Sequence, residues 1–257
     1  MFSVLQNKNN IQYRSEPFPY FIIDNALPRN LYDELITSFP KFDKIIKGNR
    51  GINEYQENTA YRYDASKALI DEEISQTWKN FISYHTSHEF TSELYDIFLN
   101  SIKKIYNVDK DKLPNKNNTG LRHRDNSFFS TDCQFVINTP TSGDTSVIEP
   151  HLDNPKEFYA ALLYMRDPED DSLGGSLTTH QFIGEPSFYG KSRVRESKVN
   201  LIEEIAYQEN RLAVFLNSPL SIHGVTKRSK TDFYRKYINI IGEFNNELFD
   251  FRPFLEK

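Results

Sequence analysis

The chain has 257 residues, of which 38% are hydrophobic and 14% aromatic, with 20 Phe and 15 Tyr. That is enough apolar material for a packed core and excludes wholesale disorder. A formal net charge of −5 provides no basic field for nucleic acid or anionic lipid, and the single cysteine, Cys133, excludes an internal disulfide and any cysteine-built zinc site.

No run of eighteen apolar residues occurs, and the opening "MFSVLQNKNN" is too polar for a signal peptide. The expected protein is therefore soluble and cytoplasmic, with no membrane and no nucleic acid as partner.

Tyr20 to Ile23 form a short apolar run. A helix is expected from near Pro28, with Leu31, Leu35 and Ile36 at helical spacing. Residues 70–107 read as two helices or one broken helix, carrying apolar stripes through Trp78, Phe81 and Ile82, then Leu94, Phe98, Ile102 and Ile105. His85 and His88 lie three apart there with no carboxylate partner of obvious geometry and read as packing or surface residues. The polar stretch 107–127 reads as a loop, with Arg122 and Arg124 in a candidate lid.

From about residue 132 the texture changes to eight short β-prone runs separated by turn signals. They are "DCQFVINTP", "TSVIEPH", "FYAALLYMR", "GSLTTHQF", "SKVNLIEEIAY", "RLAVFLN", "IHGVTK" and "KYINIIGEF". The fold class this predicts is α+β: a jelly-roll or cupin-like double-stranded β-helix buttressed by N-terminal helices. The expected division is 1–125 as a helical supporting region, 126–245 as the β core and 246–257 as a tail, in one integrated domain.

Two His-x-Asp pairs stand out, His151 and Asp153 in "EPHLDNP" and His123 and Asp125 in "RHRDN". In an extended segment residues i and i+2 project to one side, so either pair can offer two ligands to one ion. Two imidazoles and one carboxylate on one face, with the opposite face open, is the ligand set of non-haem Fe(II) oxygenases. For the first pair a distant histidine follows in "RLAVFLNSPLSIHGV", where a buried strand enters a Ser-Pro turn before His223. Arg235 then opens the strand "RKYINIIGEF". The second pair has His180 and then Lys191 or Arg193, but no apolar strand leads into its third histidine. The "HLD" set is the better metal site.

The ordered set His151, Asp153, Tyr164, Gly174-Gly175, His223 and Arg235 resembles the Fe(II)/2-oxoglutarate-dependent dioxygenases, in their prolyl-hydroxylase-like branch, over roughly residues 132–245. "PFPYFIIDNALP" (17–28) is similar to the opening strand and helix of these proteins. The resemblance implies that His151, Asp153 and His223 bind Fe(II). It also implies that 2-oxoglutarate reaches Arg235, with O₂ as the other co-substrate and succinate and CO₂ released as a C–H bond is hydroxylated. Tyr164 is a candidate hydroxyl donor to the same carboxylate, Asn239 shares the face of Arg235, and Lys236 and Arg228 rank below Arg235 as the cation. Asp153 favours hydroxylation, since halogenating relatives carry a small residue there.

The substrate expected is a small molecule, a sugar-containing molecule or a peptidyl side chain. Lys191, Arg193, Arg195 and Lys198 in "YGKSRVRESK" could cradle an anionic group, or form a solvated loop. The competing class is a cupin-like metal-binding barrel or sugar isomerase/epimerase without oxygenase activity. It has no need of a cation placed like Arg235.

Overall fold

The computed structural model describes residues 3–49, 54–108, 110–145, 148–190 and 192–256. In the first part of the chain lie β1 (Gln12–Arg14), β2 (Tyr20–Ile23), α1 (Arg29–Thr37), α2 (Phe42–Gly48), β3 (Ala60–Tyr63), α3 (Ala65–Ala68), α4 (Gln76–His85) and α5 (His88–Tyr106). After them come β4 (Thr119–Leu121), β5 (Phe129–Asn138), β6 (Glu157–Tyr164), β7 (Leu177–Phe182), β8 (Val199–Ile205), β9 (Leu212–Leu216), β10 (His223–Val225) and β11 (Arg235–Phe244).

The helix pair α4–α5 breaks where sequence reading allowed it. Ser75 and Ser87 each cap the following helix, accepting from Trp78 N and Phe90 N. Two expectations change. The 107–127 loop holds β4, which pairs parallel with the start of β5, Thr119 opposite Phe129 and Leu121 opposite Thr131. "TSVIEPH" forms no strand among the described residues, which exclude Ser146 and Val147; it contributes isolated pairings, Thr145 with Arg228 and His151 with His223.

A large sheet runs β1-β2-β9-β6-β11-β5-β3, with β4 beside β5, and a small sheet runs β10-β7-β8. Apart from β4 with β5, the strands pair antiparallel, and β11 sits between β5 and β6. Period-two alternation gives the large sheet two unlike faces. Cys133, Phe135 and Ile137 of β5 and Ile238 and Ile240 of β11 enter the main core with Trp78, Phe81, Phe90 and Phe98 of the helices. Val136 and Tyr237 point the other way, where Tyr164, Ala160 and Phe215 meet Leu177 and Ile205 of the small sheet. The helices therefore cover one face, and the small sheet closes over the other.

A third core lies behind the small sheet. Leu152, Phe188, Val194, Val199 and Ile222 gather there with Phe249, Phe251 and Leu255 of the C-terminal segment.

His85 is wholly buried in the helical layer, its ring 4.0 Å from that of Phe81 and 4.7 Å from that of Phe90. Its Nδ1 donates to Phe81 O at 2.8 Å and its Nε2 accepts from Val4 N at 3.1 Å, so both nitrogens are used and the ring is neutral. It packs, and His88 does not join it in any metal-sized group among the described residues. Burial pushes the His85 imidazole down to about 3 from 6.5. Its contribution to stability is thus full above the unfolded value and is lost as pH falls toward the folded one, at roughly 1.4 kcal/mol per pH unit. Urea denaturation should show the native chain losing on the order of 2 kcal/mol between pH 6.5 and 5 from this group. A His85→Phe variant, although less stable at pH 7, should lack that part of the slope.

Candidate functional site

Between the two sheets lies a cavity of about 660 Å³ whose lining includes His151, Asp153, His223, Arg235 and Asn239. The backbones of His151 and His223 pair directly, His151 N donating to His223 O at 2.8 Å and His223 N to His151 O at 3.1 Å. From behind, Leu152 and Ile222 are anchored in the third core. Their neighbours His151, Asp153 and His223 are thereby directed to the cavity.

Both imidazoles are oriented by backbone carbonyls. His151 Nδ1 donates to Glu149 O and His223 Nδ1 to Ser221 O, each at 2.9 Å. A carbonyl can only accept, so Nδ1 carries a proton, and in the neutral ring the Nε2 lone pair is free. Those two nitrogens face the Asp153 carboxylate at 3.5 and 3.4 Å, with ring centroids 4.4 Å apart. Burial pushes the His223 imidazole down to about 4, which keeps it neutral at pH 7. With both rings neutral, three acceptors face one another, and the ligand atoms lie within 4.8 Å of one another. A cation resolves that arrangement, and the donor set suits a divalent transition metal.

Deeper in the cavity Arg235 is 2% exposed. Its Nε donates to Gly175 O at 2.7 Å and its Nη1 to Asn138 Oδ1 at 3.0 Å, whereas Nη2 has no partner. The rings of Tyr237, Tyr207 and Tyr164 surround it at 4.7, 5.1 and 5.3 Å. The Tyr164 hydroxyl, which lies near Arg235 and the Leu177 backbone, and Asn239 Oδ1 are likewise buried and make no well-formed hydrogen bond. Gly175 has φ +72, a conformation glycine adopts without strain, and a Cβ there would stand 3.1 Å from Arg235 Cδ.

No protein-family model matches the chain, and no curated protein sequence does. Among solved structures, a prolyl 4-hydroxylase from Phytophthora capsici superposes with a TM-score of 0.50 at 13% identity over 88% of this chain. The chain shares the fold of a prolyl 4-hydroxylase. It spans 59% of that protein's length. Weaker likenesses are to the epimerase SnoN (TM-score 0.49, 10% identity, 88% of this chain and 78% of that one) and to a Trichoplax adhaerens prolyl hydroxylase (0.47, 14%, 95% and 88%). The prolyl 4-hydroxylase fold is carried by the first superposition.

Within this prolyl 4-hydroxylase fold the rival histidine set does not assemble. Asp125 is taken up by Leu121 N and by Arg124. His180 lies on β7 with Nε2 against Thr178 Oγ1, and no described group joins it to His123 and Asp125. His123 instead stands near Asp64 and Asp132, a second group whose ligand atoms also lie within 4.8 Å. The carboxylates there are already occupied: Asp132 accepts from Ala65 N, Cys133 N and Gln134 Nε2, and Asp64 from Gln134 Nε2.

Lys236 faces away, toward Asp167 at 3.5 Å. Arg228 is buried with Nη1 on Thr139 O and Nη2 on Phe233 O, which makes it a strut. In the 189–198 connection Arg195 pairs with Glu256 at 2.9 Å, and Lys191 lies outside the described residues. Arg122 ion-pairs with Glu243 at 2.9 Å and Glu157 at 3.8 Å.

Sequence reasoning missed Asn138, Tyr207 and Gln134. The signal for two of them was present: in "DCQFVIN" the polar residues Asp132, Gln134 and Asn138 fall on one parity, against Cys133, Phe135 and Ile137 on the other.

The turn before His223 depends on one hydroxyl. Ser221 Oγ, fully buried, accepts from Ser218 N at 3.0 Å and reaches Asn217 Oδ1 and Ser218 O, each at 2.9 Å. Ser221→Ala leaves buried groups unpaired and should lower stability by about 1–3 kcal/mol, read from urea denaturation.

Proposed function

We propose that the chain is an Fe(II)- and 2-oxoglutarate-dependent dioxygenase of the prolyl-hydroxylase-like branch. Its core is a double-stranded β-helix over 126–245, supported by 1–125 and followed by the tail 246–257. The observation that carries this reading is Arg235. It is a buried guanidinium with no carboxylate partner among the described residues, one unused N–H group and an unused tyrosine hydroxyl nearby. A buried unpaired charge is costly, and a ligand carboxylate removes the cost with a charge-assisted bond.

In this reading His151, Asp153 and His223 hold Fe(II), each histidine arriving with Nδ1 already protonated and Nε2 free. The far carboxylate of 2-oxoglutarate takes Arg235 Nη2 and the Tyr164 hydroxyl, and Asn239 borders the same co-substrate. The bound iron and co-substrate supply the O₂-dependent oxidation that turns a substrate C–H into C–OH, as 2-oxoglutarate becomes succinate and CO₂. The chain's own work is positional. Gly175 O and Asn138 aim the guanidinium, and the tyrosine rings keep water from it.

His151→Ala, Asp153→Ala and His223→Ala should each weaken Fe(II) binding at least tenfold by equilibrium dialysis, with unchanged far-ultraviolet circular dichroism. His123→Ala should bind iron as the native chain does. Iron binding lost in His123→Ala but kept in His151→Ala would refute the ligand assignment.

Arg235→Ala should raise the 2-oxoglutarate KM without a matching change in iron affinity. Loss of a charge-assisted buried pair costs on the order of 2–5 kcal/mol, roughly 30- to several-thousand-fold. Arg235→Lys should fall between, keeping the charge but not the fork, and Lys236→Ala should change little. Succinate formation against 2-oxoglutarate concentration at saturating Fe(II) is the measurement. A large defect in Lys236→Ala with a normal Arg235→Ala would overturn the carboxylate assignment.

A further inference from the structure

The outer part of the same cavity bears on what the oxidised molecule is. Alternation along β3 sends Tyr61 and Tyr63 into the main core and puts Ala60 and Arg62 on the cavity face. The Arg62 guanidinium makes no hydrogen bond or ion pair with the described residues. Its positive field still reaches Asp153 and Glu157. Arg122 also lines the cavity, but Glu243 stands 2.9 Å from it as an ion-pair partner and Glu157 lies at 3.8 Å. Among the described residues of the outer cavity, Arg62 is the arginine with no carboxylate at ion-pair distance, and it is exposed to an incoming anion.

Gln134 supplies the complementary group. It is 3% exposed and lines the cavity. Its Nε2 donates to Asp132 Oδ2 at 2.7 Å and Asp64 Oδ1 at 3.3 Å. The two carboxylates thus lock the amide with its nitrogen toward them. The acceptor Oε1 is turned away and is buried without a partner. An acceptor left so is destabilising unless a ligand donates to it. Arg62 pairs in register with Val136 across β3 and β5, so Gln134 is its diagonal neighbour. Such positions are on the order of 7–8 Å apart.

We propose that this cavity takes a small polar molecule with a carboxylate or phosphate on Arg62 and an O–H or N–H donor on Gln134 Oε1. The inference rests on the dioxygenase reading and narrows its substrate class. The cavity of about 660 Å³ is of small-molecule size. A peptide backbone is neutral and offers Arg62 no anion.

The test uses the full chain, anaerobic, loaded with Fe(II) and 2-oxoglutarate and followed by its visible charge-transfer band. Probes are 3-hydroxybutyrate, gluconate and glucose 6-phosphate, each set against a counterpart that lacks the anionic group: 3-hydroxybutyramide for the first and glucose for the other two. At least one anionic probe should perturb the band with a Kd at least tenfold below that of its counterpart. Arg62→Gln should weaken that probe at least tenfold and close the gap, and Arg62→Lys should restore part of it. Gln134→Met, checked for folding by circular dichroism, should weaken the probe yet keep the preference for the anion. Equal binding of charged and neutral probes overturns the inference, as does an anionic preference that survives Arg62→Gln. So does a native chain whose band answers to none of the anionic probes, or only to a proline-containing peptide. If the band never forms in the native chain, it is the dioxygenase reading itself that falls.

Discussion

The pleat of β11 between β5 and β6 is the constraint on which the rest of the molecule depends. Arg235 opposes Asn138, and Tyr237 opposes Val136 on one side and Tyr164 on the other. Alternate residues of the same strand, Ile238 and Ile240, are buried among the helices. One strand therefore serves a dry core and a polar cavity at once. A shift of a single residue would exchange the two, placing Lys236 in the cavity and Arg235 against hydrocarbon. The helical layer enforces the register because it accepts only the apolar parity.

That enforcement explains how a guanidinium can be held where it is. Arg235 has no counter-ion among the described residues, and its environment is built from weaker elements: two oxygen acceptors and three aromatic faces. Each contributes modestly, and cation–π contacts are worth roughly 0.5–2 kcal/mol. None of them consumes the last N–H group. The packing cost is met by the large helical core on the other side of the sheet.

Much of this was legible in the chain before folding. Strand runs were visible because turn residues punctuate them, and the break between α4 and α5 was visible as a lapse in the apolar stripe. His151, Asp153, His223 and Arg235 were picked out by order and context, and the fold brings them to one cavity. What was not legible depends on pairing. Nothing local in "TGL" marks β4 as a strand, since its partner is the start of β5. Asn138 matters because register sets it opposite Arg235, and Tyr207 because it reaches the guanidinium from beyond β8. His123 reads as a loop residue in sequence, and only the folded chain sets it beside Asp64 and Asp132.

The mutual backbone pairing of His151 and His223 has a further consequence. The two rings are joined through main-chain bonds, each is oriented by its own carbonyl, and each segment is pinned by an apolar neighbour in the third core. The three side chains are thus held together by the polypeptide's own main-chain bonds and apolar anchors. If the triad holds iron as proposed, a chelator would strip the metal without loosening the fold, and reloading would be limited by ion entry and dehydration and not by refolding. Selectivity among divalent ions would be set by a rigid template, so zinc or cobalt could occupy the same three atoms as spectroscopically silent or visible surrogates.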